Sequence, residues 1–184
     1  QYWPVWHKDM HSDGGFDRKM YLNDAGAVTG TDQRRVTSVS TTTFGLPEGA
    51  SSGGYSESNH IGEEHIAYVF HSVTGYSKIG SYTGNGSTTG PSVTLGFAPA
   101  FLLIKSATQG EPWSLIDNMR THATDGLENV LTANTTAAET QYYVDLNSNG
   151  FQIKDTTGVL NANSQTYIYM AFADKREYAY WLDQ

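Results

Sequence analysis

The stretch Thr166-Tyr167-Ile168-Tyr169-Met170-Ala171-Phe172 decides the fold class. Its period is two. Tyr167, Tyr169 and Ala171 point one way and Ile168, Met170 and Phe172 the other, and neither set is charged. A strand with two apolar faces is a central strand, covered on both sides. At an offset of 102 residues, His65-Ile66-Ala67-Tyr68-Val69-Phe70-His71 follows the same plan, with Ile66, Tyr68 and Phe70 set against His65, Ala67 and Val69. It is read as a second central strand.

Outward from these segments, alternation recurs and helical periodicity does not. Further strands are expected over Val93 to Leu95, Phe101 to Lys105, Trp113 to Asp117, Gln141 to Asp145, Phe151 to Lys154 and Glu177 to Leu182. Gly84-Asn85-Gly86, Asp125-Gly126 and Asn149-Gly150 lie between them, and these residues tolerate the positive φ that tight hairpins require. The Ser/Gly-rich run from Glu48 to Asn59 reads as a mobile loop.

The correspondence between the halves extends beyond the strands. Trp3-Pro4-Val5-Trp6 resembles Trp113-Ser114-Leu115-Ile116, and Asn23-Asp24-Ala25-Gly26-Ala27 resembles Asn134-Thr135-Thr136-Ala137-Ala138. What the second half has and the first lacks is an opening, Ser81 to Gly86 followed by Gly96 to Lys105. The chain therefore reads as a complete β module over residues 77–184, preceded by an N-terminally incomplete one over residues 1–76. A module of roughly eight short strands in about 105 residues is the size of an antiparallel β-sandwich or jelly roll. Repeats of this kind point to stacked modules more than to one active site.

Composition agrees with an all-β chain. Only 16% of residues are charged, whereas 19 glycines and 12 tyrosines mark short strands joined by turns, and 38% hydrophobic content suffices for packed cores. The net charge of −8 argues against nucleic acid, which is held by clustered Lys and Arg. The basic pairs Arg18-Lys19, Arg34-Arg35 and Lys175-Arg176 each have an acidic neighbour and read as solvated surface. With no cysteine there are no disulfides or thiolate metal sites. No run of 18 apolar residues is present, so no membrane insertion is expected. A chain that opens on Gln1 without the order of a signal peptide is read as the cut edge of a longer polypeptide.

Taken in order, Gly75 to Gly86, Gly96 to Lys105, Ser148-Asn149-Gly150-Phe151, Asn161 and Tyr167 to Ala173 resemble a repeated module at the C-terminal end of bacteriophage tail proteins, common in phages of aquatic bacteria. Trp6-His7 and His65 to Ser72 are similar to its penultimate copy, so that nearly the whole chain is covered. The resemblance implies a virion component, a tail fibre, spike or decoration protein near the host-facing end, and it carries over no catalytic residue.

Three constellations invite a chemical reading. His60-Ile61-Gly62-Glu63-Glu64-His65 is one residue longer than the H-x-x-E-H zinc motif and leads into a strand-like run, where that motif needs a helix. Asp145-Leu146-Asn147-Ser148-Asn149-Gly150 matches the first half of a calcium loop, with Asp145, Asn147 and Asn149 as ligands, but Thr156 stands where the bidentate Glu belongs. No Gly-x-Ser-x-Gly elbow accompanies a strand-to-helix turn, and no carboxylate pair can be assigned across a cleft. The chain is expected to be non-enzymatic, with no cofactor.

Contacts are expected where rigid scaffolds carry loops and exposed aromatics. The candidates for receptor or subunit contact are Tyr55, Asn59, Gln109, Tyr178, Tyr180 and Trp181. The expected partners are neighbouring copies of the same chain, as a homo-oligomer, trimer or fibre with strand complementation of the incomplete module, and a glycan or protein of the host cell surface. The expected location is the virion, an extracellular particle. A carbohydrate-binding, adhesion or filament module outside any virion is the alternative, and a polysaccharide-degrading tailspike fragment the third reading.

Overall fold

The computed structural model describes residues 2–10, 18–28, 36–47, 58–121 and 127–175. Its elements in chain order are β1 (Pro4–Val5), β2 (Met20–Tyr21), β3 (Ser38–Val39), β4 (Phe44–Gly45), β5 (Ser77–Thr83), β6 (Ser92–Thr94), β7 (Pro99–Ser106), β8 (Ser114–Thr121), β9 (Leu127–Thr132), β10 (Thr140–Asn147), β11 (Gly150–Ile153), the four-residue helix α1 (Gly158–Asn161) and β12 (Thr166–Ala173). Strands β5 to β12 form one antiparallel sheet in the order β5-β12-β7-β8-β9-β10-β11-β6. Two further antiparallel pairs, β1 with β2 and β3 with β4, stand apart from it. Among the described residues the protein is all-β apart from α1.

The eight-stranded sheet curls around its own core. Side chains alternate across each strand, and one face of every strand feeds a single apolar cluster that includes Tyr82, Ile104, Ile116, Val130, Val144, Phe151 and Tyr169. Phe151 of β11 meets Tyr82 of β5 and Tyr169 of β12 edge to face, at centroid distances of 6.1 and 5.5 Å, so the two ends of the strand order face one another. The last gap, between β5 and β6, is not closed by a ladder. Lys78 Nζ reaches across it and donates to the Thr94 carbonyl at 2.6 Å.

β12 is the central strand that its alternation demands, paired with β5 on one side and β7 on the other. Its inner set, Tyr167, Tyr169 and Ala171, lies in the main core. Of its outer set, Ile168 is buried in a second cluster with Met10, Met20 and Trp113, bordered by Val5, Leu22, Val28 and Leu103. Met170 and Phe172 are half-buried. The outer cover over Ile168 thus comes from the N-terminal segment, fixed by Trp113 Nε1 donating to the Tyr21 carbonyl at 2.8 Å and Val28 N–H donating to the Ala107 carbonyl at 2.9 Å.

The pair β1–β2 carries the same local hydrogen bonds as β8–β9. Trp3 N–H donates to Asn23 Oδ1 at 3.0 Å, and Trp113 N–H donates to Asn134 Oδ1 at 2.9 Å. The Trp3 carbonyl accepts Leu22 N–H and the Trp113 carbonyl accepts Ala133 N–H. Asp24 N–H donates to the Tyr21 carbonyl and Thr135 N–H to the Thr132 carbonyl, each at 3.3 Å. The side chains of Asp24 and Thr135 then accept Gly26 and Ala137 N–H. In register, Pro4 opposite Tyr21 and Val5 opposite Met20 match Ser114 opposite Thr132 and Leu115 opposite Leu131.

The expected strands at β6, β7, β8, β10, β11 and β12 are present, and Glu177 to Leu182 lies outside the described residues. The expectation for His65 to His71 is corrected. That segment joins no sheet, and Ile66 and Tyr68 are 84% and 77% exposed. A central strand needs two neighbours, and among the described residues none pairs with this segment. Phe70 lies edge to face with Phe172 at 6.1 Å.

Phe151→Ala is expected to lower the unfolding free energy by about 3 to 5 kcal/mol, because a fully buried ring leaves a cavity between two aromatic neighbours. Ile66→Ala should stay within about 0.5 kcal/mol of the parent chain. Urea titrations of both variants, followed by near-ultraviolet circular dichroism, check the contrast.

Candidate functional site

One end of the curled sheet gathers the loops 84–91, 107–113, 133–139 and 154–165. α1 seals that end. Leu160 is fully buried, and two core tyrosines terminate on the helix backbone. Tyr82 donates to the Leu160 carbonyl at 2.7 Å, and Tyr167 donates to the Gly158 carbonyl at 2.6 Å while accepting Ala162 N–H at 2.8 Å. Their rings stack at 5.0 Å. Burial raises both hydroxyl pKa values, most strongly for Tyr82, so both stay protonated and remain donors.

Two of these loops, 84–91 and 154–165, are tied together by Asn161, a fully buried side chain. Its Oδ1 accepts Asn85 N–H at 2.8 Å, and its Nδ2 donates to the carbonyls of Ser87 and Asp155 at 2.9 and 2.8 Å, with Asn85 Oδ1 at 3.1 Å. Only a primary amide supplies two donors and an acceptor in one plane, which is why asparagine stands here. Gly90 has to be glycine for the same hub, since a Cβ there would lie 2.8 Å from Asn161 Nδ2.

Beside this hub the 107–113 loop brings Gln109 and Glu111 against Gly158, where a Cβ would lie 2.8 Å from Glu111 Oε1 and 3.4 Å from Gln109 Oε1. Gln109 Oε1 is buried with no hydrogen-bond partner among the described residues. Underneath, Lys105 is fully buried and donates to the carbonyls of Ser106 and Gln109 at 2.7 and 3.2 Å. Burial pulls its pKa down to about 8, against the attraction of Glu111 and Asp24. The rim therefore combines a buried, unpartnered amide oxygen with a carboxylate and, farther round, Asp155 and Tyr142, whose hydroxyl pKa is raised by burial and then by Asp155 and Glu111. Such a set of acceptors on a stiff base suits hydroxyl-rich neutral ligands and repels phosphate.

The remaining sequence candidates among the described residues do not converge on this rim. Asn59 belongs to the N-terminal half, its amide donating to the Pro47 carbonyl at 2.7 Å. Tyr55, Tyr178, Tyr180 and Trp181 lie outside the described residues. Asp145, Asn147 and Asn149 sit at the opposite end of the sheet in the β10–β11 hairpin. There Asp145 pairs with Lys154 at 2.9 Å and Asn147 Oδ1 accepts Asn149 N–H at 3.0 Å, so both side chains serve the hairpin. His60 to His65 form a turn in which His65 Nε2 accepts His60 N–H at 3.1 Å and Gly62 takes a φ of 84°. Among the described residues no group of three or more His, Cys, Asp or Glu side chains is placed to hold a metal ion.

Glu128 is a polar feature that its sequence context hides. On β9 it follows the inward phase of Val130, is buried, and its Oε2 has no hydrogen-bond partner among the described residues. Burial raises its pKa to about 7, with repulsion from Asp145 and Asp117 adding to the effect.

Asn161→Ala would leave backbone groups of two loops unpaired, and a loss of roughly 2 to 4 kcal/mol is expected in chemical denaturation. Glu128 generates a pH signature. Its folded pKa, about 7, lies above the ordinary 4.5, so the unfolded chain ionises first and stability falls as pH rises through that window. Glu128→Gln should raise the melting temperature at pH 8, and the gain should vanish at pH 4, in parallel thermal melts.

No curated protein and no solved structure matches the chain. A family model described as a domain of unknown function (DUF7483) matches residues 1–176, and the chain belongs to that family.

Proposed function

We propose that this chain is a non-catalytic structural component of a bacteriophage virion, a module of a tail fibre or appendage that serves assembly and attachment to the host cell surface. In this reading the chain is a tandem of antiparallel modules of sandwich or jelly-roll type, the second complete and the first lacking its opening strands. The observation that carries it is the shared bonding of β1–β2 and β8–β9, in which tryptophan and asparagine 110 or 111 residues apart make the same contacts in the same register. Tandem modules of one plan build elongated objects, which is what an appendage requires.

The rim at Gln109 and Glu111 suits the attachment role, since its 107–113 loop is anchored by the Lys105 bonds and holds an unpartnered amide oxygen beside a carboxylate. The partner is a glycan or a glycosylated protein of the host surface. The same rim would serve a carbohydrate-binding module outside any virion, and the location of the protein separates the two.

Mass spectrometry of purified phage particles encoding the chain should find it at structural stoichiometry, and its absence would reject the virion reading. On glycan arrays the chain should retain ligand without releasing product, and the double variant Gln109→Ala, Glu111→Ala should weaken binding by about tenfold or more.

A further inference from the structure

The packing of β1–β2 on the eight-stranded sheet is a contact between one strand pair and the tryptophan of its counterpart. Trp113, at the head of β8, is 4% exposed because the N-terminal segment covers it, and its indole N–H is received by the Tyr21 carbonyl. Trp3 occupies the corresponding place at the head of β1 and is 59% exposed. Ile168 beneath the cover is buried, whereas its counterpart Ile66 is exposed.

The covering side is duplicated as well. Val5 and Met20 are the cross-strand pair that faces the sheet, and their counterparts are Leu115 and Leu131, a cross-strand pair half-buried on the outer face of β8–β9. Tyr21 corresponds to Thr132. The Tyr21 carbonyl accepts both Asp24 N–H and the Trp113 indole, while the Thr132 carbonyl accepts Thr135 N–H, the counterpart of the first of these bonds. One chain thus shows a contact made once and carries, unmade, both of its halves.

We infer that a second copy of this chain occupies the Trp3 surface, docking its β8–β9 outer face so that Leu115 and Leu131 cover the Trp3 ring and the Thr132 carbonyl receives the Trp3 indole N–H. The contact is heterologous, a head patch on one molecule against a tail patch on the next, and it repeats at each added molecule. It rests on the correspondence between the two strand pairs and holds whether or not the protein is part of a virion.

Sedimentation velocity over a concentration series is the test. The weight-average mass should climb above the 20.2 kDa of one chain as concentration rises. Trp3→Ala, which removes the head, and Leu131→Lys, which charges the tail, should each weaken association by about tenfold or more. Neither changes a fully buried side chain, and circular dichroism melts identify any variant that misfolds. For such a variant, Trp3→Phe or Leu131→Gln replaces it. An equimolar mixture of the two association-deficient variants should form dimers that do not grow, because one intact head meets one intact tail. A chain that stays monomeric at millimolar concentration, association indifferent to both substitutions, or a mixture that fails to dimerise would overturn the inference. None of those results bears on whether the protein is found in particles, and absence from particles would not bear on this contact.

Discussion

The structure depends on the need to cover β12 on both faces. Its inner tyrosines are met by the far end of the same sheet, which is why the sheet curls instead of lying open. Its outer isoleucine can be covered only by residues from outside the sheet, and the N-terminal segment supplies them. Each large apolar side chain removed from water contributes about 1.5 to 3 kcal/mol, enough to hold a short two-residue strand pair that would be unstable alone. The polar ends of the core tyrosines set a second requirement, a backbone acceptor at the sealed end of the sheet. α1 exists to present its carbonyls there, and four residues are sufficient for that.

Much of the eight-stranded sheet was legible in the sequence because its strands alternate cleanly and its turns carry Asn-Gly or Gly-Asn-Gly. β9 was not, since Glu128 and Asn129 interrupt the apolar pattern and the burial of a carboxylate cannot be read from neighbours in sequence. α1 was equally hidden, being too short to show a helical period. The segment from His65 to Phe70 reads as strand by every local criterion, and it fails because strand formation is a property of pairs. Local pattern reports willingness to pair, and topology decides whether a neighbour is available.

The candidate rim was visible only through Gln109. Asn161 stood out in the sequence as part of a recurring pattern, but its role as the link between two loops depends on contacts 74 to 76 residues away. Lys105 is the sharper lesson. Alternation places it on the outer face of β7, where a lysine is normally solvated, yet the N-terminal cover turns that face into an interior and leaves the ammonium to backbone carbonyls. A residue that looks like surface in the isolated module is core once its neighbour docks.

The gap between β5 and β6 has a mechanical meaning. Elsewhere around the sheet, neighbouring strands are held by ladders of backbone bonds, which share a load along their length. Here a lysine ammonium on a Thr94 carbonyl bridges the gap beside the Tyr82–Phe151 ring contact, and a bond at the end of a flexible stem yields before a ladder does. Tension that pulls β5 away from β6 would unroll the sheet from this seam while the β5–β12 ladder stayed intact. The tear therefore has a defined starting line, and a molecule loaded along its length would lengthen there before any strand was lost from the sheet.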